Sequence, residues 1–259
     1  MSSQLAAIYS QPLIALLAEE KALVDRIVVY PWHTEAQIRE ARSYRPLMLH
    51  GMPAPFALNQ LDPFDEAVTA QAQRLLALAD PPWLSINFGP SVEAFEYNGK
   101  IIPLSEPQSR SQVYLNTCRN AARLKQWLPV PLILGNLGYH PNGAYEHVCE
   151  PSFIIVVLDT VDCGFLLDIA RARISAHNLG LDEKQYFRSL PLYRTREVHV
   201  SGPRLHNGAM TDAHEPLQDA DWEALTFILA RSKPEVVTLG YEKDKDQLQD
   251  QLQRLRDML

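Results

Sequence analysis

Short apolar runs return along the whole chain, each followed by a stretch long enough to hold a helix. The runs are LAAIYS (5–10), RIVVYP (26–31), LMLHG (47–51), WLSINFG (83–89), PLILGN (131–136), GFLLDI (164–169), REVHVS (196–201) and EVVTLGY (235–241). Their length and their Val, Ile and Leu content suit strands buried on both faces. Residues 65–79 (DEAVTAQAQRLLALA) are rich in helix formers and begin on acidic side chains, and 107–127, 218–232 and 245–258 carry apolar positions at helical spacing. Strands alternating with helices make βα units and a parallel sheet. Eight such units in 259 residues predict an α/β fold, a single (β/α)8 TIM barrel forming one domain over 1–259. A doubly wound open sheet is the alternative. It loses ground because neither G-x-G-x-x-G nor G-x-x-x-x-G-K-[ST] occurs.

Composition excludes several function classes. Hydrophobic residues are 46% and charged residues 21%, as in ordinary globular proteins. No apolar run approaches the ~20 residues of a membrane span. The net charge is -7 without a basic patch, which argues against a nucleic-acid partner. Cys118, Cys149 and Cys163 cannot all pair and form no C-x-x-C, so a reduced, cytoplasmic setting is expected. Cys149 and Cys163 are expected as small buried apolar groups. The first residues lack the basic segment of a secretory signal.

Function in such a barrel gathers where strands end. Those ends carry His50, Asn87, Gly135 with Asn136, Asp168, His199 and Gly240. In REVHVSG, alternation puts Val198 and Val200 on the face toward the outer helices and turns Glu197 and His199 into the barrel. The same parity turns Asp168 and His50 inward. Beyond this strand, TDAHEP spaces Asp212 and His214 at i, i+2, so in an extended segment both leave on one side. With His199 they resemble the two-His, one-carboxylate set that suits iron. A lone strand-end His is more often a hydrogen-bonded core residue, so the metal reading rests on convergence. His33, His140, His147, His177 and His206 are expected at the surface, and Glu146 and Glu150 as solvated neighbours. No G-x-S-x-G and no H-E-x-x-H supports a hydrolase.

The segments LLDIARARISAHNLGLD (166–182) and LPLYRTREVHVSGPRLHNGAMTDAHEPLQ (190–218), preceded in order by LHG (49–51), WLSIN (83–87) and GNLGYHPNG (135–143), resemble the multinuclear non-haem iron-dependent oxidative enzymes. The resemblance spans most of the chain and is most specific over 163–218. It implies a barrel related to xylose isomerase, with iron at its mouth. It also implies oxidative remodelling of small peptides, often with a partner protein that presents the peptide. On that resemblance His50, Asp168, His199, Asp212 and His214 fall on metal-ligand or near-ligand positions, with His50 and His199 as catalytic candidates. Arg171, Asn87, Asn136 and Glu197 become substrate-binding candidates.

The departures are specific. Asn87 stands where a His is usual, Gly135 and Gly240 where a Glu is usual, and Arg171 where a His or Asn is usual. Glu242 is a candidate substitute for the missing last-strand Glu. Two lost carboxylates and one added Arg make the site three charges more positive than the family pattern, which disfavours a cluster of two or three irons. Arg171 is expected to reach Asp168 or Asp212 in place of a cation. Two readings follow. One is an enzyme with one iron at His199, Asp212 and His214. The other is a non-catalytic barrel with no metal that binds a peptide or small molecule through Arg171, His50 and Asp168.

Overall fold

The computed structural model describes residues 3–97 and 100–259. Eight parallel strands close a barrel in the order β1 (Gln4–Ile8), β12 (Val236–Leu239), β9 (Thr195–Val200), β8 (Gly164–Asp168), β7 (Leu132–Gly135), β4 (Leu84–Asn87), β3 (Leu47–His50) and β2 (Arg26–Val29). Each of the eight apolar runs supplies one of these strands. The closed barrel replaces the open-sheet alternative.

Nine helices surround it among the described residues: α1 (Gln11–Ala18), α2 (Glu35–Tyr44), α3 (Glu66–Ala79), α4 (Arg110–Trp127), α5 (Pro151–Val161), α6 (Ile169–Asn178), α7 (Glu183–Ser189), α8 (Asp219–Leu229) and α9 (Lys245–Met258). Their starts follow local chemistry. Asp65 accepts from the Ala67 and Val68 amides to open α3, Ser109 opens α4, and Thr34 with Gln37 forms a capping box on α2.

Strand alternation sorts the core into two. Inside the barrel, Ala6, Val28, Met48, Trp83, Ile133, Leu166 and Val236 form one buried cluster. Their neighbours, among them Leu5, Ile27, Leu47, Leu84, Leu134, Leu167, Val198 and Val237, pack outward in a second cluster that includes the helices. Val198 and Val200 thus lie outside, as the parity of REVHVSG requires.

Two antiparallel hairpins interrupt the βα alternation: β5 (Ala94–Tyr97) with β6 (Lys100–Pro103), and β10 (Gly202–His206) with β11 (Ala209–Glu215). The second follows the end of β9 and carries Asp212 and His214. Asn178, the last residue of α6, pins it: its Oδ1 accepts from the Met210 amide at 3.0 Å, and its Nδ2 donates to Met210 O at 3.1 Å and Tyr139 O at 2.8 Å.

Cys118, Cys149 and Cys163 are unpaired thiols. Burial pushes the Cys149 and Cys163 thiols up to about 12, so they are apolar fillers, not nucleophiles. His177 and His206 are exposed, whereas His33, His140 and His147 are half-buried, which corrects the expectation of a surface position for those three. His33 is drawn in because its Nδ1 accepts from the Tyr30 amide at 3.1 Å and its ring packs edge-on to Tyr9. Among the described residues no helix is long and apolar enough to cross a membrane.

Candidate functional site

The site is layered along β9. Glu197 is fully buried at its base. Its Oε2 accepts from Trp83 Nε1 at 2.9 Å, and its Oε1 accepts from Thr238 Oγ1 at 3.4 Å and lies 2.7 Å from His199 Nε2. With this many partners the carboxylate is satisfied without solvent. Glu197, expected to touch substrate, is instead the brace that holds His199, because it lies two residues deeper on the same inward face.

His199 faces His50 across the barrel, with ring centroids 5.3 Å apart. His50 Nδ1 lies 2.8 Å from Ser85 Oγ, which itself donates to Leu49 O at 3.4 Å. That arrangement assigns the ring proton to Nδ1 and leaves the lone pair on Nε2. Burial, then the neighbouring His199 and Arg171, push His50 well below its ordinary 6.5, so it is neutral.

Asp168 ends β8 and caps α6, accepting the Arg171 amide on Oδ1 at 3.0 Å. Asn136 is fully buried and spends both ends of its amide on the Asp168 backbone, accepting from its N–H at 2.8 Å and donating to its carbonyl at 3.0 Å. It therefore positions Asp168. One turn into α6, Arg171 places Nε 3.4 Å from Asp168 Oδ2 and 3.8 Å from Asp212 Oδ2. The cation expected to reach these carboxylates lies between them.

Asp212 and His214 form the outer layer. His214 Nε2 lies 3.4 Å from Asp212 Oδ1, and its Nδ1 lies 2.8 Å from Gly240 O. A carbonyl only accepts and so does a carboxylate, so both ring nitrogens carry protons. Burial alone would lower His214, but the bond to Asp212, with the charges of Asp212 and Asp168, outweighs it and lifts the imidazole to about 9. Burial would likewise raise Asp212; His214, with Arg171 and Ser201, holds it at about 2. Asp168 is raised by burial, only partly offset by Arg171. His214 takes a left-handed φ of 47°, which costs a side chain of this kind on the order of 1 kcal/mol and is maintained by its two partners.

The positions that depart from the family pattern are filled by other contacts. A Cβ at Gly135 would come 2.8 Å from Asn87 Oδ1, and one at Gly240 would come 3.1 Å from Ser201 Cβ and 3.5 Å from His214 Nδ1. Asn87 Oδ1 is buried without a hydrogen-bond partner among the described residues. Glu242 is exposed, and its charge acts on Tyr30 at the rim.

These donors do not fit a resident iron cluster. Among the described residues no three His, Cys, Asp or Glu side chains form a group that could hold a metal ion. His214 Nε2 faces Asp212, Asp168 and Asp212 share a guanidinium, and two positions lack side chains. His199, Asp212 and His214 do not come together as a ligand set.

Sequence reasoning missed Trp83, Ser85 and Thr238, although Trp83 and Ser85 share the inward parity of WLSIN. It also missed the rim of Tyr30, Trp32 and His33.

Residues 23–258 match the family described as RiPP precursor modification enzyme MbnB/TglH/ChrH. The chain belongs to that family. A UPF0276 protein of Bordetella pertussis is 26% identical over 210 residues, covering 79% of this chain and 71% of that protein. A UPF0276 protein of Caulobacter vibrioides is 25% identical over 253 residues, covering 93% and 87%. Among solved structures, a 3-keto-D-glucoside 4-epimerase from E. coli has a TM-score of 0.63 at 14% identity, covering 99% of this chain and 100% of that one. A xylose isomerase domain containing protein from Salmonella typhimurium has a TM-score of 0.62 at 13% identity, covering 99% and 97%. These likenesses establish a xylose-isomerase-like TIM barrel; at such identities they speak for fold alone.

Proposed function

We propose that this member of the peptide-modifying family is a ligand-binding barrel whose mouth is organised by a built-in cation instead of an iron cluster. The observation that carries the reading is Arg171 between Asp168 and Asp212, with His214 protonated on both nitrogens beside them. Arg171 and His214 balance the two Asp carboxylates, and Glu197 is occupied by Trp83, Thr238 and His199, so little free negative charge is left to draw two or three iron ions. The ligand is a peptide or small molecule, delivered in the cell by a peptide-presenting partner. His50, with its free Nε2, and His199, braced from below by Glu197, face it as polar contacts.

The experiment is metal analysis of protein purified after iron supplementation. Less than one iron per chain is expected; two or more tightly bound irons refute the reading. The Arg171→His, Gly135→Glu double variant should gain metal, since the obstruction at 135 is the movable end of Asn87.

Family membership favours a second reading, an oxidative peptide-modifying enzyme with one iron at His199, Asp212 and His214. It requires His214 to give up the proton on Nε2, the nitrogen facing Asp212, while Nδ1 keeps its bond to Gly240 O. One iron per chain, abolished by Asp212→Ala and by His214→Ala, would establish it.

A further inference from the structure

Arg171 brings five N–H donors to the mouth, and Nε lies 3.4 Å from Asp168 Oδ2 and 3.8 Å from Asp212 Oδ2. Among the described residues neither terminal amino group donates a hydrogen bond to the protein. The side chain is 24% exposed, so part of it reaches solvent. Two parallel N–H groups on a planar fork match the two oxygens of a carboxylate. There Arg171 and His214 offset Asp168 and Asp212, and the remaining buried carboxylate, Glu197, is turned to Trp83, Thr238 and His199.

A second observation lies on the same rim. Trp32 follows β2 and is 72% exposed. One face of its indole stacks on Tyr30, with centroids 4.3 Å apart and planes at 10°. The loop beneath is fixed by the Tyr30 amide on His33 and by the capping box that opens α2. A large aromatic side chain is thus held in one orientation with its other face bare. Tyr30 joins the two features. It lies under Trp32, edge-on to His50 at 5.6 Å, and Arg171 heads the charges acting on its hydroxyl.

We propose that the barrel mouth binds an aromatic carboxylate, with the carboxylate on the outer edge of Arg171 and the ring stacked on the free face of Trp32. The proposal rests on the ligand-binding reading above and names its ligand class. Arg171 supplies charge-assisted bidentate recognition, and Trp32 supplies a flat apolar surface whose stacking requires no new ordering of the protein.

Calorimetric titration of the wild-type chain with N-acetylphenylalanine, its C-terminal amide and N-acetylalanine tests it. The acid is expected to bind saturably, the amide about tenfold or more weaker, and N-acetylalanine about threefold to tenfold weaker. Trp32→Ala, at an exposed position that leaves the core intact, should bring N-acetylphenylalanine down to the affinity of N-acetylalanine. Arg171→Lys keeps the charge but loses the fork and should lose most of the preference for acid over amide. Acetyl-Gly-Gly-Phe, run alongside, separates two sources of the same chemistry: tighter binding than the single residue assigns a peptide terminus, equal binding a free aromatic acid. Acid and amide binding within about twofold of each other, or an unchanged affinity in Trp32→Ala, overturns the proposal, as does the absence of saturable binding. Its failure is separable from that of the metal reading. A chain with two irons that still prefers the acid through Arg171 refutes only the latter, and an iron-free chain indifferent to the acid refutes only the former.

Discussion

Arg171→Gln removes the cation between two carboxylates while keeping a side chain of similar reach. Near 4 Å, each ion pair is worth about 4 kcal/mol at an effective dielectric of ~20, much of it offset by desolvation of the guanidinium. Asp212 keeps His214 after the substitution. Asp168 has a side chain only 10% exposed and retains hydrogen bonds but no adjacent guanidinium. Breaking one side of a buried pair costs roughly 3–5 kcal/mol. With Arg171 24% exposed, the low end of that range, about 3 kcal/mol near pH 7, is expected. The pH dependence follows in sign. Burial already raises the Asp168 carboxyl, and loss of Arg171 raises it further above its unfolded value. Such a group withdraws stability above its folded pKa and returns it as protonation proceeds, so the deficit should shrink as pH falls from 7 toward 4. Urea unfolding of both proteins across that range, followed by circular dichroism, measures it. A deficit under ~0.5 kcal/mol near pH 7, or one constant across the range, refutes the ion-pair account.

Four further outcomes are expected. The His214 imidazole, raised from 6.5 to about 9, gives stability that is full below 6.5 and lost as pH rises through about 9; with its side chain 40% exposed, screening leaves ~1 kcal/mol. An NMR titration midpoint near 6.5 would contradict this. Asp212 works in the opposite direction, its contribution present above 3.8 and lost as pH falls through about 2, so Asp212→Ala should remove both limbs of a stability–pH curve together. Glu197→Ala, which strands Trp83 Nε1 and His199 in a dry interior, should cost about 3–5 kcal/mol in chemical denaturation; a midpoint equal to wild type would show that these bonds are not formed. Asn178→Ala should speed hydrogen exchange at the Met210 amide and across β11 without affecting β9, and uniform protection in the variant would deny the pinning role.

The barrel was legible because its strands are buried on both sides and so are written as unbroken apolar runs. The inward aim of Glu197 and His199 followed from the same alternation. The β10–β11 hairpin was not legible as a hairpin: Gly202, Pro203 and Arg204 do not alternate, and its strands pack on α6 rather than on a sheet face. Arg171 could be placed beside Asp168 by its i+3 spacing, and near Asp212 from family order. The roles of Asn136 and Glu197 could not be separated from substrate contact, because depth along a strand has no sequence signal. His214 turning to the Gly240 carbonyl depends on a left-handed backbone that no residue type announces.

The dry cluster of Ala6, Val28, Met48, Trp83, Ile133, Leu166 and Val236 fills the lower barrel and contains no member of the ion network. The scaffold and the reactive end are therefore largely separable: apart from Glu197, which Trp83 ties to the plug, the charged groups lie above it and can be exchanged while the same barrel closes. Relatives should accordingly be grouped for activity by what stands at 87, 135, 171 and 240, since likeness across the strands follows the plug and would join chains with and without a catalyst.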